Sequence, residues 1–158
     1  MVVGRFPNLV SQCAIDLEHM LTDSNRSTAV LAVTTLLKTG VEQNIDRLMK
    51  SIGGFMNEVT EEFKITLVEA IKNLCLKFPH KHQIFITFLS NALREEGGQP
   101  YKKALVDALL EITTVVDGAK EEGLDCFCEF IEDCEYPNLA IKMLNFISTE
   151  GPKYVCLD

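Results

Sequence analysis

Three eleven-residue stretches of this chain carry the same order of apolar and polar positions at one fixed spacing. Arg26 to Leu36 (RSTAVLAVTTL), Lys64 to Leu74 (KITLVEAIKNL) and Lys102 to Ile112 (KKALVDALLEI) align without a gap at 38 residues. Each opens on a cation. Val30, Val68 and Val106 then correspond, followed by Ala32, Ala70 and Ala108, by Val33, Ile71 and Leu109, and by Leu36, Leu74 and Ile112. A weaker fourth copy runs from Ile141 to Ile147, with Met143 in the alanine position. Apolar residues three and four apart predict helices with one buried face. A small residue lets a neighbouring helix backbone come close while branched residues fill the grooves around it. Ala32, Ala70 and Ala108 are therefore the expected repeat-packing positions.

Between these blocks lie further helical stretches, giving about eight helices in four antiparallel pairs joined by short turns. The punctuation agrees. Thr22, Asp23 and Ser24 offer an N-cap to the first repeated helix, and Gly40 stands where its C-cap is expected. Gly53 and Gly54 are expected to break a helix. Pro79 is expected to start a helix reaching about Glu96, which Gly97 and Gly98 stop, and Pro100 to help open the next. Gly118 precedes an acidic helix of about Ala119 to Cys134, and Pro137 begins the last one. A helix pair of this length is the unit of HEAT and armadillo-type repeats, in which no single pair can bury its own apolar face and stacking creates one continuous core. The fold class expected is all-α, an α-solenoid over residues 1–153 with a short tail at 154–158. Function in such a fold lies on its surfaces.

Composition narrows the classes. With 47% apolar and 24% charged residues among 158, the chain reads as one globular unit. No stretch approaches the ~18 uninterrupted apolar residues of a membrane span. Fifteen basic against 23 acidic residues, net −8, oppose both nucleic-acid binding and direct adsorption on anionic lipid, so any membrane association has to be indirect. The six cysteines lack the density of a secreted disulfide framework and read as reduced core residues.

Candidate chemistry is thin. His80 and His82, two apart on a helix, point away from each other and cannot share a metal. Cys126, Cys128 and Cys134 lack paired zinc spacing and fall in an apolar pattern with Phe127 and Phe130, which predicts core packing. Glu129, Glu132 and Asp133, at i, i+3 and i+4, would share one helix face. That face reads as solvated, or else as an acidic docking surface for a basic partner. No phosphate loop, nucleophile elbow or zinc-protease helix occurs. The expectation is a protein without catalysis, cofactor or metal.

Longer strings carry a specific resemblance. TDSNRSTAVLAVTTLLKTG (Thr22 to Gly40), DRLMK (Asp46 to Lys50), EEFK (Glu61 to Lys64), KFPHKH (Lys77 to His82), LREEGG (Leu93 to Gly98), CEFIEDCEY (Cys128 to Tyr136) and EGPK (Glu150 to Lys153) resemble, in order and spacing, the trunk of the coatomer gamma subunit family. The similarity covers about Asn8 to Lys153. It implies an adaptin-like solenoid acting as a non-enzymatic scaffold of the COPI coat, cytosolic and peripheral on Golgi membranes and coated vesicles. Retrograde Golgi-to-ER and intra-Golgi transport are implied too, with zeta, beta and delta coat subunits as partners. An Arf-family GTPase would be met through parts of the subunit outside this middle portion of the trunk. YVCLD (Tyr154 to Asp158) departs from the family pattern. The competing reading is a peptide-binding helical-repeat module of the importin or phosphatase-scaffold kind. Its groove usually carries polar side chains recurring at the repeat period, and none recurs here. Apolar stretches without evident caps, Phe6 to Leu21 and Leu139 to Ile147, predict weak self-association.

Overall fold

A computed structural model describes residues 15–17, 19–20, 25–40 and 42–155. From residue 25 onward these form seven α-helices, α1 (Arg26–Thr39), α2 (Ile45–Met56), α3 (Glu61–Lys77), α4 (His82–Arg94), α5 (Gln99–Val115), α6 (Lys120–Ile131) and α7 (Pro137–Val155). Two 3₁₀ turns, Glu42–Asn44 and Pro79–Lys81, precede α2 and α4, and no strand occurs among the described residues.

The helices lie in two layers. The repeated segments α1, α3, α5 and α7 stand side by side, and α2, α4 and α6 pack behind them, with α1 also touching α2 and each helix from α3 onward touching the next. This is the all-α, HEAT/armadillo-like solenoid expected from the repeat. One core runs the length of the stack, from Val33 and Ile52 through Ile71, Phe85 and Leu109 to Phe127 and Met143, all fully buried. Ala32 and Ala108 are buried at 2% and 3% exposure, while Ala70 is half-buried against the core. Met143, in the alanine position of the fourth copy, is fully buried.

Several boundaries differ from expectation. Gly53 and Gly54 do not break a helix but lie inside α2. Two mid-helix glycines cost about 1 kcal/mol each, yet Ile45, Leu48, Met49, Ile52, Phe55 and Met56 bury one face of α2, and that burial outweighs the propensity loss. Pro79 opens a 3₁₀ turn rather than an α-helix, and α4 proper runs from His82 to Arg94 instead of to Glu96. Helix α6 stops at Ile131, short of Cys134. The first repeated helix is capped by Asn25, whose side chain accepts the amide of Ser27 at 3.1 Å; Thr22, Asp23 and Ser24 lie outside the described residues, as does most of Phe6 to Leu21. Gly40 is the C-cap of α1, and Gly98 is the N-cap of α5 with Pro100 in the first turn. Gly118, at φ 88°, makes the turn before α6 in a conformation side chains resist.

Candidate functional site

Successive repeats are locked by a ladder of polar contacts whose partners are 35 to 40 residues apart. In the α2/α4/α6 layer, His80 Nε2 meets Glu42 Oε1 at 2.7 Å, Lys81 bonds Asp46 at 3.0 Å, and Arg94 pairs with Glu129. In the α1/α3/α5/α7 layer, Lys72 bridges to Glu111 and Lys142 to Asp107, each at 2.8 Å, while the Lys64 ammonium sits 5.4 Å from the centroid of the Tyr101 ring. The loops join in, with Lys77 donating to the Gly40 carbonyl at 3.4 Å and Tyr136 to that of Gly97 at 3.4 Å. Most of these pairs are exposed and individually worth at most about 1 kcal/mol. Together they fix the register in which each repeat meets the next.

Two partly buried members of the ladder show shifted titration. Burial alone would raise the Asp107 carboxyl, but hydrogen bonds from Lys103 and Lys142 outweigh it and hold it below the ordinary carboxylate range. The bond to Glu111 raises Lys72 against an opposing effect of burial. Lys102 is a different case that the repeat alignment marked only as an opening cation. It is 7% exposed and donates to the carbonyls of Leu93 and Glu95, capping the C-terminal end of α4 from α5. Burial lowers its pKa, with the Glu95 charge acting in the opposite direction.

The acidic residues singled out from sequence are brought near α6 but do not act as one cluster. Glu129 is held by Arg94 and borders a cavity of about 290 Å³ between α4 and α6 with Asp125 and Cys126. Asp133, past the helix end, borders a separate cavity of about 520 Å³ with Glu95, Glu135, Phe130 and Tyr136. Glu132 is the exposed C-cap residue between them. The base that pairs with Glu129 comes from the preceding repeat, as Arg94 of α4.

His80 and His82 diverge, the first to Glu42 and the second to within 3.8 Å of Glu122. Among the described residues no group of three or more His, Cys, Asp or Glu is placed to hold a metal ion. Cys75 and Cys126 are buried, and burial pushes the Cys75 thiol up to about 12 and raises Cys126. Cys128, expected in the core, is exposed instead, because α6 turns Phe127 and Phe130 inward and leaves Cys128 on the outer side.

The exposed large apolar side chains are not evenly shared. From residue 25 onward all of them (Leu31, Phe63, Val115, Ile141 and Leu144) lie on α1, α3, α5 and α7. None lies on α2, α4 or α6. Between α1 and α3 the apolar layer opens into a cavity of about 700 Å³.

A two-layer stack of helix pairs held in register by cross-repeat contacts is a helical-repeat solenoid. Residues 2–156 match the family described as the adaptin N terminal region. The chain belongs to that family. It is also similar to coatomer gamma subunits, being 52% identical over 152 residues to coatomer subunit gamma-2 of Xenopus tropicalis, a match that covers 96% of this chain and 17% of the relative. Coatomer subunit gamma-1 of Homo sapiens gives 52% identity over the same shares of the two chains. Coatomer subunit gamma-2 of Oryza sativa subsp. japonica matches at 52% as well. The chain thus spans about a sixth of the length of these relatives.

Proposed function

We propose that this chain serves as a scaffold segment in the trunk of a coatomer gamma subunit, holding other parts of the COPI coat at a fixed spacing and curvature. The observation that carries the reading is the continuous match of nearly the whole chain to coatomer gamma subunits. The cross-repeat ladder supports it, because a scaffold transmits position only if its repeats keep one register. The work is that of a coat in Golgi-to-ER and intra-Golgi transport, on the cytosolic side. Zeta, beta and delta subunits are the partners, and an Arf-family GTPase is met through other parts of the subunit. Membrane association is indirect: net −8 opposes adsorption on anionic lipid, and no described helix is long and apolar enough to cross a bilayer. No catalytic step is assigned, and the packing role of Ala32, Ala70 and Ala108 is part of the same proposal. Affinity capture from cytosol with the chain as bait tests it. Recovery of zeta, beta and delta coat subunits together is the expected result, and their absence from a capture by folded bait would contradict the coat role.

A further inference from the structure

One inter-helix groove differs from the others. Between α3 and α5, Lys72 and Glu111 close the surface with an ion pair at 2.8 Å, and Tyr101, in the first turn of α5, is buried at 1% exposure. Between α5 and α7, Lys142 and Asp107 do the same at 2.8 Å. The positions 38 residues before Lys72, Glu111 and Tyr101 are Thr34, Asn73 and Phe63. Thr34 and Asn73 carry no charge with which to bridge α1 and α3, and Phe63 is 36% exposed instead of buried. The rim changes as well. Where the later repeats have Glu69 and Asp107, the first has Leu31, which at 68% is the most exposed large apolar side chain among the described residues. The groove between α1 and α3 thus lacks the closing pair and has apolar walls in its place.

Its charge is equally distinctive. The chain carries net −8, yet the groove is lined by Lys38, Lys77 and one carboxylate, Glu69, which is itself paired with Lys72 at 3.2 Å. Both lysines stand in the last turns of their helices. The later repeats have Leu76 and Thr114 in the place of Lys38, and Val115 in that of Lys77. Lys38 has no ionic partner among the described residues. One end of the groove is therefore cationic, beside two helix C-termini whose dipoles favour the positive N-terminal end of a third helix.

We infer that the groove between α1 and α3 is a docking site for one amphipathic helix of a partner protein. That helix lies antiparallel to α1 and α3, its acidic first turn at Lys38 and Lys77 and its apolar face against Leu31 and Phe63. The dimensions suit it: α1, with 14 residues, is ~21 Å long, and the floor is made of the short side chains Ser27, Thr34, Thr66 and Ala70, which let a helix backbone approach. An acidic first turn also stabilises the docking helix itself, so the same residues serve its folding and its orientation. The groove is defined by this chain alone and goes beyond the coat reading.

The probe is a fluorescent, hydrocarbon-stapled amphipathic peptide of about four to five turns, with leucines along one face and three acids in its first turn. A second peptide has the same composition with the acids moved to the last turn. Anisotropy titration of the full chain is expected to show the first binding ~10-fold more tightly than the second. Leu31→Asp, at an exposed position, weakens the first by ~10-fold or more, and Lys38→Glu abolishes the difference between the two. Val115→Asp, exposed on α5 away from the groove, leaves both unchanged, and circular dichroism confirms that each variant keeps its helix content. Equal binding of the two peptides, or full binding by folded Leu31→Asp, overturns the inference. So does a sedimentation result in which the free chain dimerises and Leu31→Asp alone makes it monomeric, since the occupant would then be a second copy.

Discussion

Glycine 123 gives the sharpest test of how closely the two layers approach. It is buried in the first turns of α6, and a Cβ added there would fall inside the van der Waals envelope of the Thr113 Cγ2 methyl on α5, and 3.0 Å from Thr113 Cβ. Thr113 cannot turn aside cheaply. It is fully buried, its side chain is branched at Cβ, and its hydroxyl donates to the carbonyls of Leu109 and Leu110 at 2.8 and 3.0 Å. Gly123→Ala therefore has to move α6 away from α5. Overpacking of this kind costs about 1–3 kcal/mol, and with the clash so near the backbone the upper end applies. The better helix propensity of alanine returns about 1 kcal/mol, leaving a net loss of about 2 kcal/mol. Gly54→Ala is the internal comparison. No atom lies within 4 Å of the added methyl, and Gly54 is exposed within α2, so propensity acts alone and the change stabilises by about 0.5–1 kcal/mol. Urea denaturation followed by far-ultraviolet circular dichroism should move the two midpoints in opposite directions. Thr113→Ser removes the offending methyl, so in a double-mutant cycle it should recover most of the Gly123→Ala loss. If Gly123→Ala stabilises the chain as Gly54→Ala does, the close α5/α6 crossing described above is wrong.

Other consequences are open to simpler assays. Asp107 has a depressed pKa in the folded state, so its contribution to stability is complete above the ordinary carboxylate pKa near ~4 and is lost as pH falls through the lower folded value. Asp107→Asn should lower stability at neutral pH and flatten the acid limb of the stability profile, as read by denaturation from pH 7 to 2. Lys102→Met keeps an unbranched stem over Phe130 but leaves the Leu93 and Glu95 carbonyls without their donor, and should cost about 1–3 kcal/mol by urea denaturation. Among the described cysteines, maleimide labelling resolved by peptide mass spectrometry should modify Cys128 first and Cys75 last, following exposure and the raised thiol pKa. On α7, Ile141 and Leu144 are 56% and 53% exposed and one helical turn apart. Replacing both with Glu should abolish any weak self-association seen by sedimentation at high concentration.

The fold was legible because the repeat writes the same burial pattern several times. Val68, Ile71 and Leu74, for example, take their meaning from Val106, Leu109 and Ile112, and the cross-repeat contacts return the 38-residue period as physical distance. What escaped sequence reading was decided between repeats. Gly53 and Gly54 look like breakers until the buried face of α2 is weighed against them. Cys128 looks like core because Phe127 and Phe130 flank it, and only the helix phase turns it outward. Glu129 stands among acids along the sequence, and only the fold delivers Arg94 to it from α4. The α1/α3 groove lay half in view: the alignment already set Leu31 against Glu69 and Asp107, and Thr34 and Asn73 against Lys72 and Glu111. Only the ion pairs seen in the later grooves give those differences a consequence.

The stacking itself can be measured as one distance. Lys38 and Thr114 are exposed, stand two repeat periods apart, and lie in α1 and α5 with α3 between them. With adjacent helices 8–10 Å apart, spin labels attached there through a ketone-bearing unnatural side chain should give a narrow electron–electron resonance distribution centred near ~20 Å. A distribution centred at one helix spacing, or one broad and much longer, would mean that α1, α3 and α5 do not stand side by side, and would contradict the solenoid on which the coat role depends.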